Sequence, residues 1–152
     1  NRSRNAPAEK EYHAQYVDFD DLLQNSDFVC VMAPLTEETV HLIGKREFQL
    51  MKNTAVFINA SRGKLVDEGA LVKALQQGEI LAAGLDVYTE EPVDKNHPLL
   101  KMKNVVTLPH IGSATKKTRY DMMKLGVENL IKGLNGEVPP SLINKEVLKE
   151  RR

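Results

Sequence analysis

Very little in this sequence pulls it toward an unusual environment. Only one of its 152 residues is cysteine, so no intrachain disulfide can form, which fits a reducing compartment. That residue, Cys30, lies in the apolar run FVCVMA and reads as a buried, unreactive thiol. Neither sign of charge is in excess: 21 basic residues face 21 acidic ones, leaving no net field to recruit nucleic acid or an anionic membrane surface. No apolar segment is long enough to span a bilayer and no signal peptide is recognisable, so the expectation is a soluble, cytoplasmic protein. Repeats and low-complexity stretches are also missing. What remains is a chain long enough for one domain with a real core.

The chain is organised around Ala55–Gly63, AVFINASRG. A short run rich in β-branched and aromatic residues reads as an interior strand of a parallel sheet, and the polar cluster after it falls at the strand's carboxyl end. In open α/β sheets that end lines the ligand crevice. Further strands are expected over Phe28–Met32, Leu81–Val87 and Val105–Leu108, with a brief one at Tyr16-Val17. Helices are expected over AEKEYHA, DLLQNS, KREFQLMK and GALVKALQQG, with one turn in TEETVHLIG. Asp18 or Asp20 suits a cap, and Gly78 is a stop signal. The longest helix runs from Ala114 to Leu134, where Met123, Val127, Leu130, Ile131 and Leu134 make an apolar stripe. Asn135-Gly136 ends it. Strands alternating with helices predict a Rossmann-like, doubly wound α/β fold.

Polar residues follow three strands in turn: Arg62, then Asp86 with Glu91, then His110. Arginine stays charged and offers a planar fork suited to a carboxylate. Histidine delivers a proton near neutrality, and a carboxylate on its other nitrogen steadies the imidazolium and fixes the ring. An acid, its orienter and an anion clamp suit reduction of a 2-keto acid if a nicotinamide cofactor supplies hydride. Two arginines and a serine at Arg2-Ser3-Arg4 read either as a solvated terminus or as a phosphate clamp. His41, among apolar neighbours, reads as a structural histidine.

NASRG (59–63), LDVYTEEP (85–92) and LPHIGSAT (108–115) resemble the signatures of the D-isomer-specific 2-hydroxyacid dehydrogenases. Within that family the likeness is greatest to the glyoxylate/hydroxypyruvate reductase branch, and it covers Asn1 to about Leu142. The resemblance implies that Arg62 binds the substrate carboxylate, His110 donates the proton and Glu91 is the acid paired to it. It implies that Asp86 holds the nicotinamide carboxamide and that Ala33, Pro34, Ala60, Gly112 and Ser113 line the cofactor together with Arg62 and His110. Arg2, Ser3 and Arg4 fall at the adenine-ribose pocket. NAD-preferring members carry an acid there, so NADPH is favoured over NAD. No metal is implied. The partners implied are a small 2-keto or 2-hydroxy acid and a second copy of the enzyme, with no nucleic acid and no membrane. Other D-2-hydroxyacid dehydrogenases, such as phosphoglycerate dehydrogenase, and a dinucleotide-sensing corepressor of the same fold are the alternatives.

The family's nucleotide domain opens with a strand, a G-x-G-x-x-G turn and a helix that bind pyrophosphate. None of these is in the sequence. The expectation is therefore an incomplete sheet lacking its first two strands. Residues 1–113 form the second part of a dinucleotide-binding domain, 114–136 a helix returning to a substrate domain, and 137–152 a tail. Such a chain belongs to a longer enzyme and alone turns nothing over. Phe28–Met32 would present a bare apolar edge.

Overall fold

In the computed structural model, residues 3–149 are described. Residues up to Ile111 make one compact unit and those from Gly112 a second.

The first unit is a parallel sheet of β1 (Phe28–Val31), β2 (Val56–Asn59), β3 (Ala82–Leu85) and β4 (Val105–Thr107), side by side in chain order. The strands are shorter than the apolar runs that announced them, because Met32, Leu81, Val87 and Leu108 lie beyond the paired segments. Helices α1 (Ala6–Glu11) and α2 (Phe19–Asn25) precede β1, α3 (Lys45–Leu50) lies between β1 and β2, and α4 (Glu68–Gln77) joins β2 to β3. Asp67 caps α4 by accepting the Ala70 N–H at 3.0 Å. Gly78 ends that helix at φ 70°, where a residue without Cβ is least strained.

Side chains on a strand alternate between two faces, and the buried core packs on one of them. Val29, Val31, Phe57, Ala83 and Leu85 pack with Leu23 of α2, Phe48 of α3, and Leu71 and Leu75 of α4. Phe48 meets Phe57 edge to face, with ring centroids 5.3 Å apart. The other face is open: Phe28 is 70% exposed and Met32 71%.

Two expectations are corrected here. Cys30 is exposed rather than buried, because it shares the open face with Phe28 and Met32. Tyr16-Val17 forms no strand; among the described residues no strand lies beyond β1 to pair with it, and both residues are exposed. The Arg4 guanidinium instead lies over the Tyr16 ring, 5.4 Å from its centroid.

In the second unit α5 (Lys116–Leu134) starts at Thr115, whose hydroxyl accepts the Thr118 N–H at 3.1 Å. It buries no residue. The apolar stripe is present, with Val127, Leu130, Ile131 and Leu134 all at least half exposed. Asn129 accepts the Ser141 N–H at 2.9 Å, tying the following segment back to the helix.

Candidate active site

The carboxyl ends of the strands are tied together by hydrogen bonds from side chains and backbone. Asn59, the last residue of β2, is 1% exposed. Its amide donates to the Arg62 carbonyl at 3.0 Å and its Oδ1 accepts the Ser61 N–H at 3.1 Å, folding residues 59–62 into a tight bend. The Ser61 hydroxyl donates to the Ala33 carbonyl at 2.6 Å, joining the loop after β1 to the loop after β2. The Asp86 N–H donates to the Asn59 carbonyl at 3.0 Å. The Asp86 carboxylate, 7% exposed, accepts the Ile111 N–H at 2.8 Å and so reaches the loop after β4. The segments that follow all four strands are thereby fixed to one another.

On that scaffold stand the three residues of the proposed chemistry. The His110 Nδ1 and Glu91 Oε2 atoms are 2.7 Å apart. The other Glu91 oxygen accepts the Tyr88 N–H at 3.0 Å. These two hydrogen bonds, that from His110 foremost, hold the Glu91 carboxyl below the usual carboxylate range. An ionised carboxylate only accepts, so Nδ1 carries the proton toward Glu91 and Nε2 is the nitrogen left for substrate. His110 sits at φ 53°, a left-handed conformation in which histidine is over-represented.

Arg62 is exposed and one of its Nη atoms donates to the Ser61 carbonyl at 2.7 Å. Among the described residues no hydrogen bond or ion pair joins it to Glu91, to His110 or to any carboxylate, which leaves its fork for an incoming anion. Its neighbour Gly63 supplies the link. A Cβ at Gly63 would lie 1.9 Å from the Tyr88 carbonyl carbon, so the backbone beside Arg62 is pressed against the backbone that bears Glu91.

Of the cofactor candidates, Ala33 is half-buried, Pro34 and Ala60 are exposed, and Asp86 is buried. The chemistry of that set fits a flat, amide-bearing ring: the residues are small or rigid and a carboxylate suits an N–H donor. Gly112 and Ser113 lie two and three residues after His110 and open the second unit. Ser3 and Arg4 are exposed. The Arg4 guanidinium is paired with the Glu9 carboxylate, which is held below its usual range chiefly by that bond. Arg2 lies outside the described residues. The sequence places Asn59 in the polar cluster at the end of the central strand without giving it a role; the signal for that role is a buried amide closing an apolar run.

The family described as D-isomer specific 2-hydroxyacid dehydrogenase, NAD binding domain, matches residues 1–112. The chain belongs to this family. Its sheet is accordingly that of a Rossmann-type NAD-binding domain. It is 56% identical over 148 residues to glyoxylate/hydroxypyruvate reductase B of Cronobacter sakazakii, covering 97% of this chain and 46% of that relative. The 2-hydroxyacid dehydrogenase chain therefore spans about half the length of the curated relatives it matches. Among solved structures, a glyoxylate reductase from Paecilomyes thermophila is 41% identical with TM-score 0.79, over 91% of this chain and 42% of its own. The NADPH-dependent glyoxylate/hydroxypyruvate reductase of Sinorhizobium meliloti, in complex with NADP and malonate, is 39% identical with TM-score 0.69, over 74% and 35%. No helix among the described residues is long and apolar enough to cross a membrane.

The depressed Glu91 carboxyl gives a direct check. His110→Ala should raise its titration midpoint toward that of an ordinary glutamate, read by carboxyl carbon NMR; an unmoved midpoint would refute the pairing. Because the folded value lies below the unfolded one, this contribution to stability is complete above the unfolded value. It is lost as pH falls through the folded value.

Proposed function

We propose that the chain is part of an NADPH-dependent reductase that converts a small 2-keto acid, glyoxylate or hydroxypyruvate, to its D-2-hydroxy acid. The observation that carries this reading is the His110–Glu91 pair at 2.7 Å on the strand-end edge that also presents Arg62. A nicotinamide cofactor, when bound, supplies the hydride for the carbonyl carbon. Arg62 holds the substrate carboxylate and polarises the carbonyl beside it. His110 gives the Nε2 proton to the carbonyl oxygen, so the ketone gains one hydride and one proton. Glu91 keeps the ring in place and stabilises the charged form that precedes transfer. Asp86 accepts from the carboxamide, and Ala33, Pro34, Ala60, Gly112 and Ser113 line the cofactor.

NADPH is favoured by the basic Arg2-Ser3-Arg4 segment, with two guanidinium groups for a ribose phosphate, and by the NADP complex of the Sinorhizobium relative. Glu9 must release Arg4 when that phosphate arrives. In this reading the intact enzyme is a cytoplasmic homodimer. The unpaired Cys30 and the uncovered stripe of α5 are the supporting observations.

The test is glyoxylate-dependent oxidation of NADPH and of NADH by the full-length enzyme. NADPH is expected to lead by about tenfold or more in kcat/KM, a loss of roughly 1.4 kcal/mol for NADH. Arg4→Ala should narrow that gap by raising KM for NADPH alone. Equal use of NADH would overturn the cofactor assignment, and failure to reduce either keto acid would overturn the substrate.

A further inference from the structure

Two acids stand side by side at the start of α4, and the helix needs only one. Asp67 takes the capping position. Glu68 turns away from the helix: its Oε1 accepts the Thr89 N–H at 2.5 Å and its Oε2 lies 3.4 Å from His97 Nε2. The Glu68 side chain is 18% exposed. A charged acceptor on a backbone N–H, shielded to this degree, makes a strong hydrogen bond.

Thr89 begins the stretch that carries Glu91. Among the described residues, Thr89–Val93 makes no backbone–backbone hydrogen bond to any other segment, so its course depends on the few contacts that grip it. The Tyr88–Thr89 peptide is held from two sides. Gly63 presses against the Tyr88 carbonyl and the Thr89 nitrogen, and Glu68 takes the Thr89 N–H. With that peptide fixed, the Tyr88 N–H faces Glu91 at 3.0 Å, and Glu91 turns its second oxygen to His110 at 2.7 Å.

We propose that Glu68 is a positioning residue for the Glu91–His110 pair, acting through the Thr89 N–H and the Tyr88–Thr89 peptide. The proposal rests on reading Glu91 and His110 as the acid pair of the reductase. It also gives the segment from Arg62 to Glu68 a double task. One end presents the anion clamp, and the other sets the carboxylate that orients the proton donor, so the two halves of the chemistry are held at a fixed spacing by seven consecutive residues.

Three variants of the full-length enzyme separate reach from charge. Glu68→Gln keeps an oxygen at the same distance but loses the charge facing His97. Glu68→Asp keeps the charge but is one methylene too short for the Thr89 N–H. Glu68→Ala loses both. Each is followed by its thermal melt, by the Glu91 titration midpoint in carboxyl carbon NMR, and by kcat and KM for glyoxylate. Asp and Ala are expected to raise the Glu91 midpoint and to lower kcat about tenfold or more, since small misplacements of a catalytic group are costly, with KM within about twofold. Gln should stay within about threefold of the parent. A lowered melt with the Glu91 midpoint unmoved would make Glu68 merely structural and overturn the proposal. So would an Asp variant that behaves as the parent while Gln fails, because the contact between the Glu68 charge and His97 would then be what matters. If the Ala variant does not fold, the contrast between Asp and Gln still decides. A parent enzyme that reduces no keto acid defeats the functional reading alone, because the Glu91 midpoints still report on Glu68.

Discussion

Gly63→Ala should cost the first unit at least about 3 kcal/mol of stability, seen as a fall of roughly 10 °C in melting temperature by circular dichroism. The added Cβ would lie 1.9 Å from the Tyr88 carbonyl carbon, 2.0 Å from its oxygen and 2.4 Å from the Thr89 nitrogen. All three are backbone atoms, so no side-chain rotation relieves the clash. Relief requires the segments 62–65 and 88–89 to part, and both are anchored: Leu65 is fully buried and Tyr88 nearly so. The demand on Gly63 is one of space. Its φ is not in the left-handed region, so a residue tolerant of that region gives no rescue. A melt equal to the parent's would show that the two segments separate freely and would remove the basis for coupling Arg62 to Glu91.

Replacing His110 should lower kcat by roughly a hundred- to ten-thousandfold, the usual range for a lost general acid, with a much smaller change in KM for the keto acid. The choice of substitute matters. At φ 53° alanine carries a backbone penalty of about 1 kcal/mol, whereas asparagine is at ease there. His110→Asn therefore tests the proton donor with the loop undisturbed. Asn has no group that can give up a proton near neutrality, so its rate should match that of His110→Ala. Retention of more than about a tenth of the parental kcat by His110→Asn would mean that another group, or water, protonates the carbonyl oxygen.

The sequence made Arg62, Asp86, Glu91 and His110 conspicuous because each follows an apolar run, and the carboxyl ends of parallel strands are where such residues gather. The four strands and the α4 stop at Gly78 were legible for similarly local reasons. Cys30 was misread because FVCVMA is apolar at every position, which is the pattern of a strand covered on both faces. Burial depends on what lies against a face, and the helices α2, α3 and α4 pack on one face only. The stripe on α5 shows the same limit, since periodicity tells which residues share a face and not what meets it. The work of Glu68 was hidden for another reason. Its partner, Thr89, is 21 residues away and contributes a backbone N–H, a donor that every residue but proline carries and that leaves no mark in sequence.

The strand order β1-β2-β3-β4 has a kinetic consequence. Phe28 pairs with Val56, Val56 with Ala82, and Ala83 with Val105, so each strand docks beside the one made immediately before it. Among these four strands no pairing waits for a distant stretch of chain, and each step closes a loop of similar length, so the entropy of closure is spread evenly over the steps. Once Leu85 has been made, every residue through which β1, β2 and β3 pair is present, and β4 has only the β3 edge to join. Within the first unit the His110–Glu91 pair is then completed last, because the loop bearing His110 follows β4 in the chain.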